Sequence, residues 1–143
     1  MLAFIIALAI QTASIVPVIL AAGPFFVDAG KAICSNLVSG LGGTVPKYCA
    51  FGTGAGPADS TATALSTEVE TRGTGTVSRV TQTVTNDTYQ VVGTVTATAT
   101  RAITECGLFD ATSTGNILIG SGIATINLAN GDSIQFTYKL KFA

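Results

Sequence analysis

The sequence predicts a mainly β fold: an antiparallel β-sandwich, jelly-roll-like in pattern, with one short N-terminal helix and an apolar N-terminal arm. Three observations predict it. Threonine occurs 22 times in 143 residues, and β-branched side chains suit a pleated surface. From residue 74 onward, short strand-like runs are separated by turn-type residues at regular intervals. The final run alternates strictly, with Ile134, Phe136, Tyr138, Leu140 and Phe142 interleaved with Ser133, Gln135, Thr137, Lys139 and Lys141.

Two units are expected, an apolar arm over residues 1–27 and the sandwich over residues 28–143. No charge occurs between Met1 and Val27. A membrane helix needs about 20 apolar residues, and the length fits. Against it stand Gln11, Thr12 and Ser14 at the centre, Pro17, and the absence of a flanking Lys or Arg. A signal peptide would carry a positive start, which is missing, although Leu20-Ala21-Ala22-Gly23 would serve as a cleavage site. Two short apolar runs, residues 2–10 and 15–22, flank the polar patch and suit strands or an extended arm packed on other subunits. Its expected contacts are Leu2, Phe4, Ile5, Ile6, Ile10, Ile15, Val16, Val18, Ile19, Leu20, Phe25 and Phe26. A membrane segment stands as the alternative.

After Gly23-Pro24, Asp28 is placed to cap a helix whose apolar stripe is Ile33, Leu37, Val38 and Leu41, closed by Gly40, Gly42 and Gly43. A strand over residues 47–51 leads into the glycine-rich stretch 52–60, read as a flexible surface loop. Residues 74–85 and 88–98 read as a hairpin about a two-residue Asn86-Asp87 turn. In its second strand Tyr89, Val91, Val95, Ala97 and Ala99 share one face. Residues 103–109 form the next strand, closed by a turn over 110–115. Residues 116–127 are apolar on both faces and should be covered on both sides. Asn130-Gly131 marks the last turn.

Composition narrows function. The chain has no histidine, 7 basic and 8 acidic residues, a net charge of −1 and a mean hydropathy of +0.56. No basic surface invites nucleic acid, and no histidine-based catalytic or metal site can form. Charged residues make up 10%, against about 25% in an ordinary soluble domain. So thin a charge content fits a surface largely covered by other protein or by lipid.

The remaining chemistry is weak. Cys34, Cys49 and Cys106 are widely spaced, with no Cys-x-x-Cys pair, and read as small buried apolar residues, one disulfide plus a spare thiol being the alternative. Gly52-x-Gly54-x-Gly56 misses the spacing of a nucleotide loop, and Pro57 follows it. Glu68, Glu70 and Glu105 would need a sugar-sized cleft to act as an acid pair. Glu68 and Glu70 should instead pair with Arg72 or a lysine. Glu105, inside an apolar strand, should meet backbone N–H groups or an arginine, Arg79 or Arg101. Asn86-Asp87-Thr88 fits a glycosylation sequon, but a turn explains the same letters. Asp59, Asp110 and Asp132 are too dispersed for a calcium site. The expectation is a non-enzymatic protein without cofactor or metal.

Three blocks carry a family resemblance. They are Gly42-Gly43-Thr44-Val45-Pro46-Lys47-Tyr48 running into Phe51-Gly52-Thr53-Gly54; Ile103-Thr104-Glu105-Cys106-Gly107-Leu108-Phe109-Asp110-Ala111; and Gly131-Asp132-Ser133-Ile134-Gln135-Phe136-Thr137 running to Phe142. In this order they resemble the small β-rich virion structural proteins of tailed bacteriophages. The resemblance spans residues 28–142 and departs at Cys106, where a small residue such as Ala is expected. It implies a capsid decoration (cement) protein on the capsid exterior of the virion, oligomeric, with a trimer preferred over a dimer, clamping neighbouring major capsid protein subunits. The alternatives are a tail or fibre protein that binds a host receptor and a membrane-anchored or secreted adhesin.

Overall fold

The computed structural model describes the backbone of residues 3–10 and 25, and residues 26–57 and 59–142 in full. In chain order the elements are β1 (Ala3–Ile10), β2 (Phe25–Phe26), α1 (Asp28–Ser39), β3 (Tyr48–Gly52), β4 (Gly73–Thr74), β5 (Thr76–Val80), β6 (Thr88–Thr96), β7 (Arg101–Phe109), β8 (Ile117–Leu128) and β9 (Ser133–Lys141). Every strand pair among the described residues is antiparallel. One sheet has the order β1-β9-β6-β5 and the other β2-β8-β7-β3-β4. Together they make the sandwich-like arrangement of two sheets that the strand pattern predicts.

Alternation explains how the layers meet. Along β9, Ile134, Phe136, Tyr138 and Leu140 are buried, and their neighbours in sequence are half-exposed. They pack with Val91 and Val95 of β6 against Cys49 and Phe51 of β3 and Ile103, Cys106 and Leu108 of β7. The Tyr138 hydroxyl donates to the Gly107 carbonyl at 3.0 Å, which pays its desolvation and ties the sheets together. The five-stranded sheet is covered on its other face too. There Ala50, Phe109 and Ile117 meet Val27 and Leu65 in a second apolar cluster. β8 is buried from Ile117 through Ile123, whereas Asn116, Ala124, Thr125 and Asn127 are exposed, so the two-sided cover expected over residues 116–127 holds only for that first stretch of the strand.

The apolar arm contributes a strand. β1 pairs with β9 from Ala3↔Lys141 to Ile10↔Ile134 and forms the edge of its sheet. Of the expected arm contacts, Phe4, Ile5, Ile6 and Ile10 lie in β1, and Phe25 and Phe26 make up β2, opposite Gly120 and Ile119 of β8. Phe26 packs on the core. Leu2, Ile15, Val16, Val18, Ile19 and Leu20 lie outside the described residues.

Four local expectations are corrected. Asp28 is the first helical residue and not the cap: Val27 holds that place without a side-chain bond, while Asp28 pairs with Lys31 at 2.6 Å. Only part of the helical stripe is inward. Ile33 is buried, but Val38 and Leu41 are 88% and 82% exposed. The reason is that α1 reaches β8 through its first half, where a Cβ on Gly30 would stand 2.3 Å from the Leu118 carbonyl oxygen. The β5–β6 connection is not a two-residue turn. Val80 pairs with Thr88, so residues 81–87 form the loop. Its organiser is the Asp87 carboxylate, which accepts from the N–H groups of Gln82, Thr83 and Val84 at 2.8–2.9 Å. Finally, Phe142 lies beyond the end of β9 and is 55% exposed.

Candidate functional site: a carboxylate nest and an apolar groove

The glycine-rich stretch after β3 is not a free surface loop. It wraps the side chain of Glu105, which is fully buried. Glu105 Oε1 accepts from Gly54 N at 3.1 Å and Thr67 N at 2.6 Å; Oε2 accepts from Gly56 N at 3.0 Å and Ser66 N at 2.9 Å. Four backbone donors converge on one carboxylate, the arrangement that a phosphate-binding loop offers to a ligand. Here the anion is supplied by the chain itself.

The local sequence dictates this. A register shift between Ile103 and Glu105 in the β7–β8 ladder breaks regular pairing beside the carboxylate. Close approach demands glycine: a Cβ on Gly52 or Gly54 would stand 2.3 or 2.7 Å from Glu105 Oε1. Gly56 has φ +86°, a left-handed backbone that side chains disfavour. Hydroxyls close the rest of the network. Ser66 Oγ donates to the Gly56 carbonyl at 2.7 Å, and Thr104 Oγ1 donates to the Gly54 carbonyl at 2.6 Å. The expectation that Glu105 meets backbone N–H groups holds, and neither Arg79 nor Arg101 is its partner.

The other carboxylates are engaged as well. Glu68 holds Arg72 through two parallel bonds, Nε–Oε1 at 2.7 Å and Nη2–Oε2 at 2.9 Å. The same guanidinium donates to the carbonyls of Ala111 and Thr114 and lies 3.5 Å from the ring centroid of Phe109. Glu70 accepts from Arg101 Nε at 3.0 Å and from Thr98 Oγ1 at 2.7 Å. Asp59, Asp110 and Asp132 each accept a backbone N–H within their own turn, from Thr61, Asn116 and Ala129. Among the described residues no cluster of ligating side chains could hold a metal ion. Burial pushes the thiols of Cys49 and Cys106 up to about 12, and that of Cys34 upward. The two core thiols are therefore poor nucleophiles.

One surface feature stands apart from this bonded interior. The C-terminal half of α1, residues 45–46 and the end of β9 enclose an apolar groove of about 140 Å³. Cys34, Leu37, Tyr89 and Leu140 line it, and the exposed Val38, Val45 and Phe142 form its rim. The Tyr89 hydroxyl donates to the Pro46 carbonyl and fixes the groove wall.

Sequence reasoning did not find the nest partners Gly54, Gly56, Ser66 and Thr67. A signal for them existed: a strand carboxylate without a basic partner and a glycine loop without a ligand occur in one chain. Val38 and Phe142 keep the apolar period of their elements, so the sequence pattern points them inward, whereas both are exposed at the rim.

No family model, curated protein or solved structure matches this chain. Among the described residues no helix is long and apolar enough to cross a membrane.

Proposed function

We propose that this protein is a non-enzymatic structural component of a tailed-bacteriophage virion, a capsid decoration protein. It would oligomerise, with a trimer preferred, and clamp neighbouring major capsid protein subunits on the capsid exterior. The observation that carries the reading is the apolar groove with its exposed rim of Val38, Val45 and Phe142. Contiguous exposed apolar surface of this kind marks a protein-binding site. The thin charge content of the chain points the same way.

The three resemblance blocks support it from the interior. They fold into β3 and its loop, β7, and β9, and Glu105 of the second block is gripped by Gly54 of the first. These blocks therefore specify a stable scaffold. Each carboxylate that acid–base chemistry would call on is committed to a structural partner. Binding of a host receptor through the glycine loop is a poorer fit, because Gly54 and Gly56 are tied to Glu105.

Quantitative mass spectrometry of purified particles tests the proposal. Hundreds of copies per particle, in fixed ratio to the major capsid protein, are expected. A handful of copies per particle would transfer the protein to the tail, and its absence from particles would end the proposal.

A further inference from the structure

The large apolar side chains that the fold leaves exposed gather at one end of the molecule. Among the described residues they are Val38, Leu41, Val45, Val77, Val84 and Phe142. Val38, Val45 and Phe142 line the groove, and Leu41 follows just past the end of α1. Val84 belongs to the 81–87 loop, which is tied to the end of β9. There Phe142 N donates to the Asp87 carbonyl at 2.9 Å, and Lys141 Nζ to Thr83 Oγ1 at 2.6 Å. Val77 sits further out, on the edge strand β5. The unpaired cations gather at the same end. Lys31, Arg72 and Arg101 are held in ion pairs, whereas Lys47, Arg79, Lys139 and Lys141 have no carboxylate partner among the described residues. Each of these is one step from a residue that lines the groove. Lys47 follows Pro46, Arg79 stands directly opposite Tyr89 in the β5–β6 ladder, and Lys139 and Lys141 flank Leu140.

We propose that the groove receives one large apolar side chain of the neighbouring subunit, aromatic or aliphatic, carried on a segment whose flanking residues are acidic. The inference rests on the assembly reading for the identity of that neighbour. The groove itself selects the anchor. It holds about 140 Å³, and an apolar cavity of about 150 Å³ holds a benzene ring. Leu37, Leu118 and Leu140 offer no hydrogen-bonding side chain, and the Tyr89 hydroxyl is committed to the Pro46 carbonyl. A polar side chain would therefore lose its water without a replacement bond. Charge selects the flanks. Lys47 and Arg79 stand beside the groove, while Lys139 and Lys141 project from the opposite face of β9 and add to the field around that end. Two carboxylates belong to the same end, and backbone N–H groups already hold both. Asp87 accepts from Gln82, Thr83 and Val84. Asp110, next to the Phe109 carbonyl that accepts from Lys47 N, accepts from Asn116 N at 2.7 Å. An apolar groove with a positive rim is the complement of an apolar anchor set among carboxylates. The same rim repels a basic segment that carries the same anchor.

Titration of the isotope-labelled full-length protein with short capped peptides, followed by amide chemical shifts, tests it. One probe carries phenylalanine between two pairs of aspartates. Two controls replace the aspartates by lysines or the phenylalanine by alanine. The first probe is expected to shift the amides of Val38, Val45, Tyr89 and Phe142 and to bind about tenfold more tightly than either control. Lys47→Gln with Arg79→Gln should erase the preference for aspartate and keep that for phenylalanine. Val38→Ser with Phe142→Ser should erase the preference for phenylalanine; both side chains are exposed, and unchanged shifts elsewhere check that the fold persists. Raising salt from ~0.1 M to ~1 M shortens the screening length from about 10 Å to about 3 Å and should narrow the aspartate advantage. Equal binding of the aspartate and lysine peptides, shifts away from the groove, or no shift up to millimolar peptide overturns the proposal. So does flotation of the protein with vesicles of phosphatidylcholine and phosphatidylglycerol that Val38→Ser with Phe142→Ser abolishes, since a lipid surface is then the occupant. The titration needs no particle. If it fails while particles carry hundreds of copies, the partner chemistry is wrong and the role stands; if it succeeds and particles lack the protein, the site stands and the role falls.

Discussion

Replacing Glu105 with glutamine keeps the shape of the side chain and removes half of its purpose. One carboxylate oxygen becomes an NH₂ group, which donates and cannot accept. Whichever way the amide turns, two of the four N–H groups lose their acceptor, either Gly54 and Thr67 or Gly56 and Ser66. A hydrogen bond to a charged acceptor is worth about 1.5–3 kcal/mol, so the loss lies between about 3 and 6 kcal/mol. Three of the four bonds are only partly buried, and water can reach the freed donors there. The lower end, about 3 kcal/mol, is therefore expected. For a chain of this size that lowers Tm by roughly 6–12 °C. Thermal and urea denaturation followed by circular dichroism measure it. Hydrogen exchange should show the amides of residues 54, 56, 66 and 67 losing protection together. A Glu105→Gln protein within about 0.5 kcal/mol of the parent, with those amides still protected, would refute the nest as a stabilising element.

Four further outcomes are expected. Arg72→Lys should cost about 2 kcal/mol in urea denaturation, because an ammonium cannot reproduce the fork on Glu68, the two carbonyl bonds and the stack on Phe109; an unchanged midpoint would contradict this. The backbone N–H of Val84 and its neighbours hold the Asp87 carboxyl well below the usual carboxylate range. Its contribution is therefore complete above the ordinary aspartate pKa and is lost as pH falls toward the lowered value; Asp87→Asn should flatten the acid side of the stability profile, and an identical profile would count against the loop geometry. At pH 8 a thiol reagent should modify Cys34 slowly and spare Cys49 and Cys106 until the protein is denatured, as peptide mapping would show. Deleting residues 1–22 should leave a folded sandwich that no longer oligomerises; circular dichroism showing an unfolded chain would place β1 in the indispensable core.

How legible the fold is in the sequence depends on the range of the interactions involved. β9 could be read directly, because one buried face imposes a period of two on its own letters. β8 could be read because burial on both faces removes the period. The β5–β6 loop could not, since its organiser is a side chain, Asp87, bonding backward to three N–H groups, while Asn86-Asp87 has the letters of a two-residue turn. The outward lean of α1 depends on where Gly30 touches β8, about 90 residues away in sequence. The nest is the extreme case. Glu105 and Gly54 are 51 positions apart, and no local pattern links them. Each half was visible as an unexplained oddity, and only the fold joins them. The groove is legible in neither period nor motif, because it forms where a helix overhangs the strand that supports it.

Domain-resolution reconstruction of a purified phage particle is the sharpest test of the proposed role as a capsid decoration protein. The expected density is the two-sheet sandwich repeated over the head surface, its groove rimmed by Val38, Val45 and Phe142 pressed against a neighbouring protein. Sandwich density confined to the tail tip, or a head lattice in which that groove faces open solvent, would contradict it.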